Sequence, residues 1–431
     1  MLKLPPRSIW KFMKGLPISM NNRHIVIINR YFYPDISSVP QLLTELSEDL
    51  VENGFKISVI CSRNSYNGKN RYPKFENHKG INIYRISNIY GRNKGIFYRI
   101  LEAVTFFIMI FFKSLRVSKI SLLLLLSSPP LLAFIGILIG RIKKAKTLYL
   151  VEDVHPHLAV SLGYIKESSL LYKFSRGLSN YVLKNVDKVV VLGEYMKEKV
   201  EDSFTVAPKK IVKIPNWADG RRIYPIKKKD NPLMKEWGLE NKFIVQYSGN
   251  MGLAHDFTTI LQGMDKLKKH KDIHFVFIGD GPRKKEIIDF IKQKQLTNVS
   301  CYPYQPYEKL HLSLNACDIS LISIREGVED LLVPSKIYGI LAAGKPFIFV
   351  GSKNNEIADI ALEYKIGKVV AEGDTDGFIG ALTSYYINKK NRDEEGAAAR
   401  EIFEKFFDRN ISASKYIKII DKTIGEGKNY D

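Results

Sequence analysis

The chain has 431 residues, of which 45% are hydrophobic and 26% are charged. These values describe a globular protein and exclude a disordered one, and the length favours two domains of about 200 residues each. The formal net charge of +21 indicates a basic surface that attracts nucleic acid, anionic lipid headgroups or phosphorylated substrates. Three cysteines give neither a paired framework nor metal-ligand spacing, which fits a reducing cytoplasm.

Residues 1–22 form an N-terminal extension with its own composition. Basic and large apolar residues alternate over residues 1–20, and no uninterrupted apolar core of the signal-peptide type is present. We expect either a poorly ordered tail or a segment whose basic and aromatic residues are loosely attracted to a membrane.

Three later stretches are almost wholly apolar: residues 103–112, 122–126 and 131–139. None reaches the roughly 18 consecutive apolar residues that a membrane-spanning helix needs, so no spanning helix is predicted. Lysines and arginines separate and flank the three stretches. Two interpretations remain open. The stretches are a buried helix, strand and helix, or they present apolar helix faces, rimmed by cations, to anionic lipid.

The first half of the chain alternates short β-branched or leucine-rich runs with helical patterns. Residues 25–28 predict a strand, 41–53 a helix and 56–61 a second strand, which together make one right-handed βαβ unit. Further strands are predicted at 81–86, 122–126, 147–151, 188–192 and 211–214.

A stretch rich in Lys, Arg and Pro at 221–234 indicates a linker, and a second alternating series follows it. Its strands are predicted at 243–248, 274–278, 299–302, 319–322, 347–350 and 369–370. The fold class is therefore α/β, with two Rossmann-like doubly wound parallel-sheet domains, 23–220 and 235–405, facing across a cleft. Residues 406–431 are expected to form a C-terminal helix and tail that could pack back on the first domain.

Two glycine turns follow predicted strands of the second domain. Residues 248–252 read Ser-Gly-Asn-Met-Gly, and the glycines of such a turn let backbone N–H groups approach a pyrophosphate closely. Residues 279–282 read Gly-Asp-Gly-Pro, a composition typical of tight turns. Each pattern alone is also what an ordinary turn shows.

Residues 333–346 predict a short apolar helix that begins at Pro334 and Ser335 and ends before Gly344. Pro suits a first helical turn, Ser can cap free N–H groups, and Gly suits the C-terminal cap. Lys336 lies at this helix start, where an anion can be held, although an ordinary capped helix is the alternative. Because the carboxyl ends of parallel strands share one sheet edge, we expect the two turns and this lysine to line one site.

With these features the chain resembles the retaining glycosyltransferases of family four, which have the two-domain GT-B architecture. The resemblance covers nearly the whole chain, residues 25–405. Within the family the chain is most similar to the fucosamine-transferase-like subgroup of O-antigen, capsule and exopolysaccharide assembly. The motifs that carry the resemblance are residues 31–35, 41–46, 59–63, 214–219, 247–252, 279–282 and 333–346.

The resemblance implies a donor diphosphate near Gly249 and Gly252 of the first glycine turn. The family usually has an Arg and a Lys there, whereas this chain has Asn250 and His255. Both can donate hydrogen bonds but neither carries a fixed charge at neutral pH, so Lys336 is expected to supply the cation.

The resemblance also implies contacts to the sugar and the base. The family's paired glutamates contact the donor sugar and ribose; Glu326 or Glu329 stands in for the first, and the second falls at Gly339. The base rests against the backbone at Tyr304. The implied donor-binding residues are Gly249, Asn250, Gly252, His255, Gly279, Asp280, Gly281, Tyr304, Glu326, Glu329, Ser335 and Lys336.

On the acceptor side, many relatives have a His-Asp pair where this chain has Glu152 and Asp153. Asp153 matches the pattern, and His155 and His157 are out of register. By this resemblance Asp153 or Glu152 binds the acceptor hydroxyl or assists its proton transfer. The alternative is that Asp153 only caps a turn before Pro156.

The expected function is transfer of a sugar from a UDP-linked nucleotide sugar to a lipid-linked saccharide acceptor, with an N-acetylated amino sugar as one candidate for the transferred group. Retaining transfer in this fold implies no protein nucleophile, no cofactor and no metal, since stabilising the leaving diphosphate is the main task. The expected place is the cytoplasmic face of the inner membrane. A sugar-nucleotide epimerase of the same fold is the alternative. A nucleic-acid-binding protein is a remote one, because no base-stacking module, zinc spacing or basic arm supports it.

Overall fold

A computed structural model describes residues 23–35, 37–66, 68, 70–87 and 96–425. The predicted N-terminal extension, residues 1–22, lies outside this range. The described residues form 15 α-helices and 14 strands. The strands make two sheets, one of eight strands and one of six.

The N-terminal sheet has the strand order β3-β4-β2-β1-β5-β6-β7-β8, and every pair is parallel except β3 with β4. Its strands are β1 (His24–Ile28), β2 (Lys56–Ser62), β3 (Phe75–His78), β4 (Ile81–Ile86), β5 (Leu122–Leu126), β6 (Lys146–Val151), β7 (Lys188–Val191) and β8 (Ile211–Lys213). The five leucines of β5 are buried, as a central parallel strand covered on both faces requires.

Six helices belong to this first sheet. They are α1 (Ser38–Glu52), α2 (Ile96–Leu115), α3 (Pro130–Lys143), α4 (His157–Ser161), α5 (Leu170–Asn185) and α6 (Glu194–Ser203). Helices α2, α3 and α5 lie side by side, since α3 contacts both of the others. The antiparallel edge strand β3 was not predicted from the sequence, because its short polar run lacks an apolar pattern.

The C-terminal sheet is wholly parallel, with the order β11-β10-β9-β12-β13-β14. Its strands are β9 (Phe243–Ser248), β10 (Ile273–Ile278), β11 (Val299–Tyr302), β12 (Ile319–Ser323), β13 (Phe347–Val350) and β14 (Gly367–Val370). The strand order reverses between β9 and β12, and this switch point opens a crevice at the carboxyl ends of the strands. The predicted class, two doubly wound α/β domains, is confirmed.

Nine helices follow the first domain. They are α7 (Pro232–Trp237), α8 (Thr258–Lys266), α9 (Lys284–Gln293), α10 (Leu310–Asn315), α11 (Lys336–Ala342), α12 (Glu356–Glu363), α13 (Thr375–Ile387), α14 (Lys389–Ile402) and α15 (Arg409–Gly425). Helix α15 contacts α1 and β6, so the last helix of the chain packs on the first domain.

A buried arginine at the start of α15 holds this helix against the first domain. Arg409 is 3% exposed and donates to both carboxylate oxygens of Asp49, at 2.8 and 2.9 Å. It also lies 3.3 Å from carboxylate oxygens of Glu48 and of Asp219. A buried guanidinium with three carboxylates is satisfied as a group, and removal of one member leaves a buried charge without compensation.

Helix α2 is apolar on two faces. Phe106 and Ile110 are buried against the sheet, whereas Ile108, Met109 and Phe112 are 51%, 41% and 57% exposed. One face of α2 is therefore part of the core, and the other face is an exposed apolar surface. None of the described helices combines the length and the apolar character that crossing a bilayer requires.

Candidate active site

The two predicted glycine turns lie backbone against backbone at the switch point. Gly249 follows β9 with φ +135°, and Gly279 and Gly281 follow β10 with φ +136° and +153°. L side chains rarely adopt these values. A Cβ at Gly279 would lie 2.1 Å from the carbonyl oxygen of Gly249, and one at Gly281 would lie 2.5 Å from that of Met251. The close contact therefore requires glycine at both positions.

Two backbone amides of the first glycine turn, which were expected to bind a diphosphate, already donate hydrogen bonds to residues 278 and 280. The Gly249 N–H donates to the Ile278 carbonyl and the Met251 N–H to the Asp280 carbonyl, each at 2.9 Å. In the described part of the chain, no hydrogen bond uses the amides of Asn250 and Gly252. Of the backbone N–H groups that were expected to bind a diphosphate in the first turn, those of Asn250 and Gly252 therefore remain available. Those of Gly249 and Met251 already donate to backbone carbonyls.

Lys336 reaches the first turn from the neighbouring segment. Its Nζ lies 3.7 Å from the centroid of the Tyr247 ring and would lie 3.5 Å from a Cβ on Gly249. The Nζ atom is buried and has no hydrogen-bond partner among the described residues. Burial lowers the pKa of Lys336 well below its usual value. The ring face partly compensates an ammonium at this distance, but a bound anion would do so far better.

His255 is neutral and already bound. Its Nδ1 lies 2.5 Å from the Ser323 carbonyl oxygen, so Nδ1 carries the proton and Nε2 is left as an acceptor. Burial lowers the pKa of His255 to about 3, and the nearby Lys336 charge contributes in the same direction. The expectation that His255 donates to the diphosphate is wrong for this geometry, because the one N–H of its neutral ring already donates to the Ser323 carbonyl.

Two arginines that sequence reasoning missed border the same loop. Arg325 lies two residues after the end of β12. Its guanidinium donates to the Leu253 carbonyl at 3.3 Å, and its backbone amide donates to the Ala254 carbonyl at 2.9 Å. Among the described residues it has no carboxylate within ion-pair distance. Arg283 donates to the His255 carbonyl at 2.5 Å. The signal that could have found Arg325 is its place just beyond the carboxyl end of a strand at the switch point.

The residues predicted to contact the donor sugar and base make fewer contacts than Lys336 and the glycine turns. Glu326 is exposed and Glu329 is half-buried, and neither carboxylate has a hydrogen-bond partner in the described range. Asp280 is exposed, and its carboxylate accepts from the Gly281 amide at 2.9 Å. The Tyr304 ring would lie 3.4 Å from a Cβ on Gly279, so Tyr304 flanks the second turn and is 46% exposed.

Ser335 does not cap its helix. Its φ and ψ of −62° and −15° are helical, whereas a capping residue needs an extended backbone, and its side chain makes no cap hydrogen bond. The Ser335 hydroxyl instead lies 2.7 Å from that of Ser38, at the start of α1 in the first domain. The predicted cap is therefore wrong, and Ser335 is an interdomain contact.

Glu152 and Asp153 follow β6, and their amides donate to the Ser127 hydroxyl at 3.0 and 3.1 Å. Asp153 pairs with Leu332 across the domains, and the next amide donates to Leu331 at 2.9 Å. The predicted acceptor acids therefore face the chain segment that leads directly into Ser335 and Lys336.

Burial perturbs both acids. It raises the pKa of Glu152 to about 7, and the Asp153 charge adds to this while a 3.3 Å hydrogen bond from Asn216 opposes it. Burial also raises the pKa of Asp153, against the effect of His155 at 3.9 Å. A carboxyl group that titrates near neutral pH can accept and return a proton there.

Cys301 and the other two cysteines are free, and no three metal-ligating side chains converge within the described residues.

Comparison with known proteins gives this geometry its context. Residues 230–402 match the family model for glycosyl transferases group 1. The chain is 29% identical over 289 residues to a probable glycosyltransferase, WbjE of Pseudomonas aeruginosa, across 66% of this chain and 70% of WbjE. The protein is a glycosyltransferase. It is also 24% identical over 292 residues, 66% of this chain and 69% of the relative, to WcaI of Escherichia coli K12, a putative colanic acid biosynthesis glycosyl transferase.

The transferase shares its fold with a solved structure of HepE from Anabaena in complex with UDP-glucose. The two superpose with a TM-score of 0.72 at 12% identity, over 93% of this chain and 99% of the HepE chain. At this identity the likeness concerns the fold. The expected GT-B architecture is confirmed, with the glycosyl transferases group 1 match covering most of the second domain.

Proposed function

We propose that the enzyme is a retaining glycosyltransferase of family four that moves a sugar from a UDP-linked donor to a lipid-linked saccharide acceptor. The observation that carries this is the Lys336 Nζ atom, which is buried beside Gly249 and has no partner among the described residues. A donor diphosphate supplies the missing anion. The UDP-glucose in the HepE complex supports a UDP donor, and the name of WcaI supports a role in cell-surface polysaccharide synthesis.

The departing diphosphate is stabilised from the second domain. Lys336 and the amides of Asn250 and Gly252 bind the oxygens on which negative charge develops, with Arg325 as a further cation nearby. These groups are held before the reaction begins, so they need little reorganisation. The protein's own cations and amides supply this stabilisation in the proposed mechanism.

The acceptor enters from the first domain. Asp153 binds and orients its hydroxyl, and Glu152 stands beside it as a proton acceptor at neutral pH. The bond from the sugar's anomeric carbon to the diphosphate oxygen breaks, and the bond to the acceptor oxygen forms on the same face. The acceptor proton passes to the diphosphate or to the carboxylate pair.

The exposed side of α2 supports a lipid-linked acceptor and a place on the membrane surface, which we propose is the cytoplasmic face of the inner membrane. Its exposed apolar side chains, Ile108, Met109 and Phe112, form a surface that water does not favour. The resemblance to the fucosamine-transferase-like subgroup favours an N-acetylated amino sugar as the transferred group.

A donor screen followed by a transfer assay tests the proposal. We expect a UDP sugar to raise the melting temperature of the wild-type enzyme, because a ligand bound only by the folded state stabilises it. A radiolabelled form of that donor should then label a lipid-diphosphate saccharide, with the anomeric configuration kept. Epimerisation of the donor without any acceptor would contradict a transferase role for this site, and an inverted product would contradict retention.

A further inference from the structure

A small basic cavity lies at the amino edge of the N-terminal sheet, far from the acids after β6. It has a volume of about 170 Å³, and its lining includes Lys56 at the start of β2 and Lys113 and Arg116 at the end of α2. The lining contains no carboxylate. Because the strands are parallel, the amino ends of β1 and β2 lie on the sheet edge opposite to the interdomain cleft. The cavity is therefore separate from the proposed acceptor site.

The three cations have no acidic partner in the described part of the chain. No carboxylate lies within ion-pair distance of Lys56, Lys113 or Arg116, and the Lys113 Nζ instead lies 4.1 Å from the centroid of the Tyr84 ring. Three unpaired positive charges around one concavity create a local potential that attracts an anion. His24 adds no charge, since burial lowers its pKa and the Lys56 charge opposes its protonation.

Neutral donors complete the lining. Ser118 brings a hydroxyl group to the cavity and Asn82 brings an amide. The Ser58 hydroxyl also lines the cavity, but it donates to Nε2 of His24, because Nδ1 of this neutral ring donates to the Ser118 carbonyl. Cations combined with hydroxyl and amide donors suit the several acceptor oxygens of a phosphate group. A carboxylate ligand would use fewer of them.

Helix α2 connects this cavity to the exposed apolar surface. Lys113 lies in the last turn of α2 and lines the cavity, whereas Phe112 and Ile108 in the same two turns are more than half exposed. A molecule with its phosphate in the cavity would meet apolar side chains alongside it. Inorganic phosphate uses only the first of these features, and a phospholipid uses both.

We propose that this cavity binds the phosphate of an anionic membrane phospholipid and so fixes the enzyme in one orientation on the membrane surface. The inference rests on the membrane attachment in the proposed function and adds a defined headgroup site to it. The lipid bound here is a membrane component and not the acceptor, because the cavity opens on the edge away from Asp153.

Vesicle sedimentation of the full chain tests the site. The probes are vesicles of phosphatidylcholine alone and of equal parts phosphatidylcholine and phosphatidylglycerol. The variant K113Q/R116Q removes two cavity cations. The control K285Q/K390Q removes two surface cations from the second domain, whose side chains are 87% and 85% exposed. Melting temperatures establish that both variants are folded.

We expect wild-type enzyme to bind only the vesicles that contain phosphatidylglycerol. K113Q/R116Q should bind these about tenfold more weakly, and the control should stay within about twofold of wild type, since distant charges are screened. Equal weakening of both variants would overturn the site and leave general charge attraction. Unchanged binding by K113Q/R116Q would overturn the site but leave the membrane attachment standing.

Two further outcomes separate this inference from the proposed function. If wild type binds no vesicle, the headgroup site and the membrane attachment both fail, while the donor screen still decides on the sugar transfer. If inorganic phosphate stabilises wild type but not K113Q/R116Q, and vesicles do not bind, the cavity holds free phosphate and the lipid assignment is overturned.

Discussion

The Lys336 ammonium lies 3.7 Å from the centroid of the Tyr247 ring, beneath the glycine turn that ends β9. Tyr247 is itself fully buried, and its hydroxyl donates to the Asn250 carbonyl at 2.8 Å, so one side chain holds both the lysine and the turn. The pair places a cation in a dry setting that the unliganded protein leaves only partly compensated.

Lys336→Met should separate stability from function. It keeps the length of the side chain but removes a buried ammonium, so we expect a higher melting temperature without ligand. We expect UDP to stop stabilising the protein and kcat to fall by roughly 100-fold or more, because the leaving group loses its buried cation. Thermal shift with and without UDP and the transfer assay measure these effects. Lys266→Ala, which removes an exposed lysine from α8, is the control. A Lys336→Met enzyme with normal UDP stabilisation would refute the site.

Asp153→Asn should damage transfer and spare donor binding. The amide keeps the size of the side chain but loses the carboxylate that faces the acceptor, so kcat should fall by about 100-fold or more. UDP should stabilise the variant as it does the wild type, since the donor lies on the other domain. Equal loss of UDP binding and of turnover would place Asp153 in the donor site instead.

Glu152→Gln should change how stability depends on pH. Burial raises the pKa of Glu152 in the folded protein to about 7, above its usual value of 4.5. Between these values the folded protein holds a proton that the unfolded chain has lost, so the free energy of unfolding falls as the pH rises toward 7. The variant lacks this loss, and its advantage over wild type should be larger at pH 8 than at pH 4. Urea unfolding at both pH values measures this, with exposed Glu198→Gln as the matched control.

Ile108→Ser with Phe112→Ser should weaken membrane binding without unfolding the protein. Both side chains are more than half exposed, so the melting temperature should change little, whereas the lost apolar area weakens insertion among lipids. Vesicle sedimentation measures the loss. Ile387→Ser, which removes a 75% exposed side chain from the second domain, is the control. Equal effects of the two changes would show that α2 is not the contact surface.

Most of the strands were within reach of sequence reasoning, whereas β3 and several contacts were not. Runs such as residues 122–126 and 347–350 are apolar over a strand's length, so their composition alone specifies burial on both faces. The placement of Lys336 beside Gly249 was also within reach, since carboxyl ends of neighbouring strands share an edge. The sequence alone did not show that the Gly249 N–H donates to the Ile278 carbonyl, because that bond depends on the register between β9 and β10.

Local rules failed where distant parts of the chain decide the geometry. Ser335 has a capping residue's chemistry but a helical backbone, and Ser38 of the other domain lies against its hydroxyl. His255 was a plausible donor by residue type, yet the Ser323 carbonyl fixes its tautomer. The ion pair of Arg409 with Asp49 joins residues 360 positions apart, a separation that no local pattern reveals.

The return of α15 to the first domain has a practical consequence for dissecting the enzyme. The chain crosses between the lobes near Ala218 and again near Asp408, and these two passages pair with each other. A fragment that stops at residue 220 would therefore lack its closing helix, and Asp49 and Asp219 would be left without their guanidinium. Anyone wishing to express the first domain alone would need to splice residues 409–425 back onto it.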